Sequence, residues 1–201
     1  MPPIVQTIHR ELDAEQTAIR DAILTAARSL IAARGHEPIG MSQIGAAAGV
    51  SRSSMYRYFA SKEHVVCEAA LAWGREVAAR LPDAIADARA GTMAAAIELI
   101  VAEAASNPPM VRATMASVMG IGATADAFRA NVRELFAELM GPAVGALSAD
   151  MPMSLVLLGR VFFADLSLLS VGDISPEQCA AELRHATRAL LADAARRGGR
   201  R

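Results

Sequence analysis

Between residues 41 and 64 the chain makes a demand that few folds can meet. Two short helical segments must cross closely, and a very tight turn must join them. Gly45 stands where the crossing needs a small residue, and Gly49 supplies a turn residue free to adopt positive φ. Ser51 can cap the second segment, with Val50 before the cap and Met55 beyond it at the spacing of a hydrophobic staple. Ile44, Gly45, Ala48, Gly49, Val50 and Met55 together fit the spacing of a helix-turn-helix.

The rest of the chain is compatible only with an all-α fold. Strand signals are nearly absent, and alanine, leucine, arginine and glutamate dominate. The punctuation predicts about nine helices: a three-helix N-terminal domain over residues 1–62, then a helical bundle over 63–201. A first helix is expected over 14–34, capped by Asp13 with Gln16 closing the box and ended by Gly35; Ile19, Ile23, Ala27 and Leu30 share its apolar face. A fourth helix begins after Ser61 and is expected to end at Pro82. Another covers 92–105, and Asn107 caps the next with Pro108 at its first position. Gly120 and Gly122 break the chain before a helix from Thr124, which Gly141 and Pro142 should kink or end. Two last helices are expected over 152–171 and 176–197, the second started by Ser175, Pro176 and Gln178.

Composition limits the function classes. With 53% apolar residues in 201, a sizeable core can be buried; the net charge is -1, so positive charge toward a polyanion must be local. Cys67 and Cys179 are far apart and form no metal spacing. The four histidines, His9, His36, His64 and His185, are dispersed, so no catalytic set, metal site or cofactor is expected. Gly120 to Ala125 superficially fits a dinucleotide fingerprint, but no strand precedes it. Residues 1–13 lack the apolar core of a signal peptide. The most apolar stretch, 155–171, is interrupted by Arg160 and Asp165 and reads as too short and too charged to span a bilayer. A cytoplasmic protein with no membrane partner is the expectation.

Local positive charge is found in the second helix of the helix-turn-helix, about 52–59, which reads Arg-Ser-Ser-Met-Tyr-Arg-Tyr-Phe. Both tyrosines of the chain are here, and its single lysine, Lys62, opens the next helix. Such a helix can present its N-terminal residues to base edges in the major groove. Arg52, Ser53 and Arg57 are candidates for base edges; Ser54, Tyr58 and Lys62 for phosphates; Tyr56 for either. Met55 and Phe59 read as core, and packing roles for the tyrosines or plain solvation of Arg57 are the alternatives.

Gly49-Val50-Ser51, then Met55-Tyr56-Arg57-Tyr58-Phe59, then Ser61-Lys62-Glu63 resemble the DNA-binding domain of the tetracycline-repressor (TetR) family. Ala26, Ala27, Leu30 and Gly35 are similar to its first helix, so the resemblance covers about residues 15–72. Ile39 and Gly40 depart from the threonine or serine common in the family before the motif, leaving Ser42 or backbone amides to meet a phosphate there; His36 stands where an aromatic is often found.

The resemblance implies a transcriptional regulator, most often a repressor released from a double-stranded, pseudo-palindromic operator by a small molecule. It further implies a homodimer formed through the last two helices. Trp73, Met93, Met115, Met119, Phe128, Phe136 and Phe162 are then the candidates for a pocket taking a lipophilic effector, with Met110, Met140 and Phe163 in the same apolar inventory and Arg112, Asn131 and Arg133 as polar anchors. Leu155, Leu158, Phe162, Leu166 and Leu169, with Leu183, Leu190 and Ala194, are the candidates for the dimer interface. Arg160 and Asp165 either pair across the twofold axis or are simply exposed. The alternatives are a DNA-binding regulator lacking a small-molecule effector, and a helical small-molecule-binding protein or enzyme with no DNA role.

Overall fold

The computed structural model describes residues 13–34, 39–86, 92–144 and 151–198, the side chains of 86, 141–144, 151–152, 191 and 193–198 excepted. Among them there are ten helices and no strand: α1 (Ala14–Arg34), α2 (Met41–Ala48), α3 (Arg52–Tyr58), α4 (Lys62–Ala79), α5 (Leu81–Ala86), α6 (Thr92–Ser106), α7 (Pro108–Val118), α8 (Ala123–Val144), α9 (Met151–Val171) and α10 (Pro176–Gly198).

Side chains start these helices much as expected. Asp13 Oδ1 accepts from the Gln16 amide at 2.8 Å, Asn107 Oδ1 from Met110 at 3.4 Å, and Ser175 Oγ from Gln178 at 3.2 Å. The Gln178 side chain does not close a box. It runs forward to Glu182 at 2.8 Å. Gly35 lies outside the described residues.

Two boundaries differ from expectation. The fourth helix already stops at Ala79, and α5 starts at once with Pro82 in its first turn. A proline ends the helix before it but suits the start of the next, where its missing N–H is not needed. This accounts for the extra helix. In turn, α8 runs through Gly141 and Pro142 to Val144. A proline this near a helix end removes only one ladder bond.

The helices enclose two cores. The first joins α1, α2, α3 and the N-terminal half of α4 around Ile23, Ala27, Ile44, Met55, Phe59 and Val65. Met110 from α7 and Phe128 from α8 also belong to it. The second joins α5 to α10 around Ile97, Val111, Met140, Leu158, Phe162 and Leu183. Trp73 on α4 packs against both. At the next residue, α4 and α8 come so close that a Cβ on Gly74 would lie 2.6 Å from Leu135 Cδ2. The expected division at residue 62 is therefore not a gap in packing.

Helix α9 is long and apolar enough, by length and composition, to cross a membrane over Met153–Val171, which corrects the expectation that this stretch is too short. Its packing is that of a core helix on one side: Leu158, Phe162, Asp165, Leu169 and Ser170 are buried against the chain's other helices. Gly172, at φ 79°, ends it, with the amides of Gly172 and Asp173 returning to the carbonyls of Leu169 and Leu168.

Candidate nucleic-acid interface

The turn between α2 and α3 meets each local demand made on it. Gly49 adopts φ 68°, ψ 24°, and its amide returns to Ala46 O while that of Val50 returns to Gly45 O at 2.8 Å. A Cβ on Gly45 would sit 2.9 Å from Val50 O and 3.2 Å from Met55 Cγ, so the two helices can cross here only over a glycine. Ser51 Oγ accepts from the Ser54 amide at 3.1 Å and starts α3.

This turn fixes which way α3 faces. Met55 and Phe59 are fully buried, which contributes about 1.5–3 kcal/mol each. Arg52, Ser53, Tyr56 and Arg57 are consequently exposed, and the Arg52 guanidinium lies 6.0 Å from the centre of the Tyr56 ring. Ser54 is half-buried, and Ser51 Oγ donates to its hydroxyl oxygen at 3.0 Å, leaving the Ser54 proton available to an acceptor. Tyr58 packs partly against the first core.

The edges of this surface are two helix N-termini. At α2 the Gln43 side chain accepts from the Gly40 amide at 2.9 Å, a capping contact that offsets the missing hydroxyl, while Ser42 is exposed in the first turn. At α4, Ser61 Oγ accepts from His64 N at 3.2 Å, and half-exposed Lys62 lies 3.5 Å from Glu63. Hydrogen bonding to its own backbone amide, then to Ser61 and Lys62, holds the Glu63 carboxyl below its usual range against a smaller effect of burial. Glu63 thus occupies the positive end of α4 and must swing aside before an external phosphate can use it.

The structure brings only some of the expected pocket residues together. Trp73, Met93, Met115 and Phe136 pack on the second core and Phe162 lies within it, with the Phe136 and Phe162 rings edge to face at 5.2 Å. Met119 does not belong with them: it is 71% exposed beside the Gly120–Gly122 turn. Nor does Phe128, which is spent in the first core. Of the polar anchors, Arg112 donates to Ser170 O at the C-terminal end of α9, Asn131 bonds its own helix at Ala127 O, and Arg133 is exposed.

The expected dimer stripe also needs correction. Leu158, Phe162, Leu169 and Leu183 are at most 7% exposed within one chain, so they fill its own core. Leu155, Leu166 and Leu190 are half-buried, and the side chain of Ala194 lies outside the described residues. Asp165 is buried, so it is not simply exposed, whereas Arg160 is. The apolar residues that α9 turns outward are a different set, Met153, Val156, Leu157, Leu168 and Val171. Beside them an apolar groove runs between α9 and α10, lined by Leu157, Val161, Ala164, Ala186, Ala189 and Leu190.

Known proteins share this arrangement. Residues 23–69 match the profile of bacterial regulatory proteins of the tetR family. An uncharacterized HTH-type transcriptional regulator of Mycobacterium tuberculosis is 38% identical over 79 residues, 37% of this chain and 39% of that protein, so the match spans well under half of the relative. A TetR transcriptional regulator from Rhodococcus superposes with a TM-score of 0.71 at 19% identity, covering 88% of this chain and 97% of the other. FadR of Thermus thermophilus, a TetR-family repressor solved with lauroyl-CoA, superposes with a TM-score of 0.67 at 20% identity, covering 86% and 93%. Residues 23–69 thus carry the helix-turn-helix segment of the tetR family profile, and the chain shares the fold of these TetR regulators.

Proposed function

We propose that the chain is a cytoplasmic transcriptional repressor that binds a pseudo-palindromic operator as a homodimer and leaves it when a lipophilic small molecule enters the larger domain. The observation that carries the reading is the division of α3: Met55 is buried, and Arg52, Ser53, Tyr56 and Arg57 are displayed together on its free side. Those four are assigned to base edges. Arginine forks suit guanine, and serine and tyrosine hydroxyls suit several bases. Ser42, Ser54, Tyr58 and Lys62, which flank them on α2, α3 and α4, are assigned to phosphates and set the register.

One recognition helix reads too few base pairs to define a site, so two must act about 34 Å or somewhat more apart. The outward apolar face of α9 with the α9–α10 groove supports a twofold interface remote from the DNA. The effector reading rests on Trp73, Met93, Met115, Phe136 and Phe162 around the second core, and on the lauroyl-CoA held by the Thermus protein of the same fold. An effector that binds better to a state with shifted α4 would lower operator affinity, and the operator would lower effector affinity by the same factor. Nothing in this reading calls on catalysis.

Fluorescence anisotropy with DNA from upstream of the coding sequence tests the proposal, with and without lauroyl-CoA as the effector probe. Saturable, sequence-preferring binding that the acyl-CoA weakens is expected. Equal affinity for that DNA and for random DNA would overturn the operator assignment. An unchanged curve with lauroyl-CoA would remove long-chain acyl thioesters from the effector class.

A further inference from the structure

The corner between α3 and α4 consists of Phe59, Ala60 and Ser61, and a single side chain ties it together. His64 Nδ1 accepts the Ala60 amide proton at 3.2 Å, while the His64 amide donates to Ser61 Oγ at 3.2 Å. The imidazole also stands edge to face with the buried Phe59 ring, with centroids 5.4 Å apart at 74°. One residue therefore engages all three residues of the corner. Tyr58 and Lys62 lie two residues either side of Ala60, so the corner's geometry sets the distance between two of the assigned phosphate contacts.

We propose that His64 is a positioning residue of the DNA interface: its neutral imidazole, by accepting from Ala60, holds Tyr58 and Lys62 at the spacing the DNA backbone requires. The inference rests on the DNA-binding reading above. Only an unprotonated Nδ1 can accept. A proton there would set two donors, Nδ1–H and the Ala60 N–H, against each other and open the corner. Phe59 from the end of α3, Arg20 from α1 and Glu68 on α4 itself act on the ring. Burial favours the neutral imidazole; Glu68 opposes this and Arg20 adds to it, with a net shift below the usual histidine value. Arg20 is itself engaged, paired with Glu68 and 5.7 Å from the centre of the Phe59 ring, so the α1 face of the corner is anchored too.

The test uses the full chain and a labelled duplex selected by the protein from a random-sequence pool, with affinity followed from pH 8 to 5.5 at fixed salt. Wild type is expected to weaken toward the acid end, by up to about tenfold, as His64 takes its proton. His64→Asn puts an amide oxygen where Nδ1 stands and cannot titrate; it is expected to keep the high-pH affinity at low pH. His64→Ala is expected to bind about tenfold more weakly even at pH 8. Without DNA, the Ala60 amide resonance of the wild type should follow a titration that His64→Asn abolishes. Identical pH profiles in wild type and His64→Asn, or an Ala60 amide indifferent to the ring, would overturn the proposal. A chain that selects no duplex would overturn the regulator reading and the interface together, and the Ala60 titration would still decide the contact.

Discussion

Arg28 on α1 and Glu76 on α4 meet as a two-pronged ion pair, Nη1 to Oε1 at 2.5 Å and Nη2 to Oε2 at 2.7 Å. One helical turn along α4, Arg80 reaches Glu103 on α6 at 2.6 Å. The two pairs line an open cleft with Trp73 and Asn107, and Arg80 further favours the charged form of Glu76. Alternating charges thus run from α1, across α4, to α6.

The Glu76 carboxyl is held below its usual range, first by its hydrogen bond from Arg28 and then, against burial, by the charges of Arg28 and Arg80. A depressed carboxyl favours the folded state above its unfolded value near 4.5, and that contribution fades as pH falls through the lower folded value. Arg28→Ala should cost no more than about 1 kcal/mol at pH 7, since both side chains are partly solvated. The gap between wild type and variant should close at the acid end. Urea titrations at pH 7 and pH 3.5 check this, and a gap that widens in acid would contradict it.

Gly45→Ala should destabilise the first core. The new methyl would meet Val50 O, a backbone atom that cannot swing away, as well as Met55. Overpacking of this kind costs about 1–3 kcal/mol, read as a lowered unfolding midpoint. Operator affinity should fall alongside, because α3 is displaced.

Arg57→Ala should relax base preference at one position of the half-site, with about 1–3 kcal/mol of discrimination lost there. The measurement is a comparison of selected and substituted duplexes. An equal loss on every sequence would reassign Arg57 to phosphate.

Lys62→Ala should weaken binding to all duplexes and reduce the salt slope by about one contact per subunit. Glu63→Gln should have the opposite sign, because the carboxylate 3.5 Å from Lys62 no longer competes with the DNA backbone. Anisotropy at several salt concentrations reads both.

Leu157→Glu, on the outward face of α9, should give folded monomers with lost operator affinity. Leu183→Ala, inside the second core, should instead cost about 2–5 kcal/mol of stability. Sedimentation and thermal unfolding separate the two; a dimer undisturbed by Leu157→Glu would refute the interface.

The helix-turn-helix was legible because its requirements are local. Gly45, Gly49 and Ser51 are each needed by a backbone angle, a close approach or a cap within a few residues. The interface stripe was not. Leu158, Phe162 and Leu169 recur at helical spacing on α9, but so do Leu157, Val161, Ala164 and Leu168. Periodicity finds a stripe without saying whether it meets the chain's own core or another molecule. Phe128 shows the same limit. Its place on an apolar helix was readable, whereas its burial in the first core depends on how α8 docks against α4 and α7. The α5 helix escaped because its six residues carry too little pattern.

Phe128 and Met110 also bear on how this molecule could be divided. A fragment ending at residue 62 would lack Val65, Ala69 and Leu71 as well as these two distant side chains, all of them walls of the same core. The helix-turn-helix segment is therefore not a detachable part. On the regulator reading, grafting that segment onto another chain would require carrying across most of α4 and replacing the two plugs that α7 and α8 supply, so a DNA specificity would be more readily transplanted by exchanging the exposed residues of α3 than by exchanging the domain.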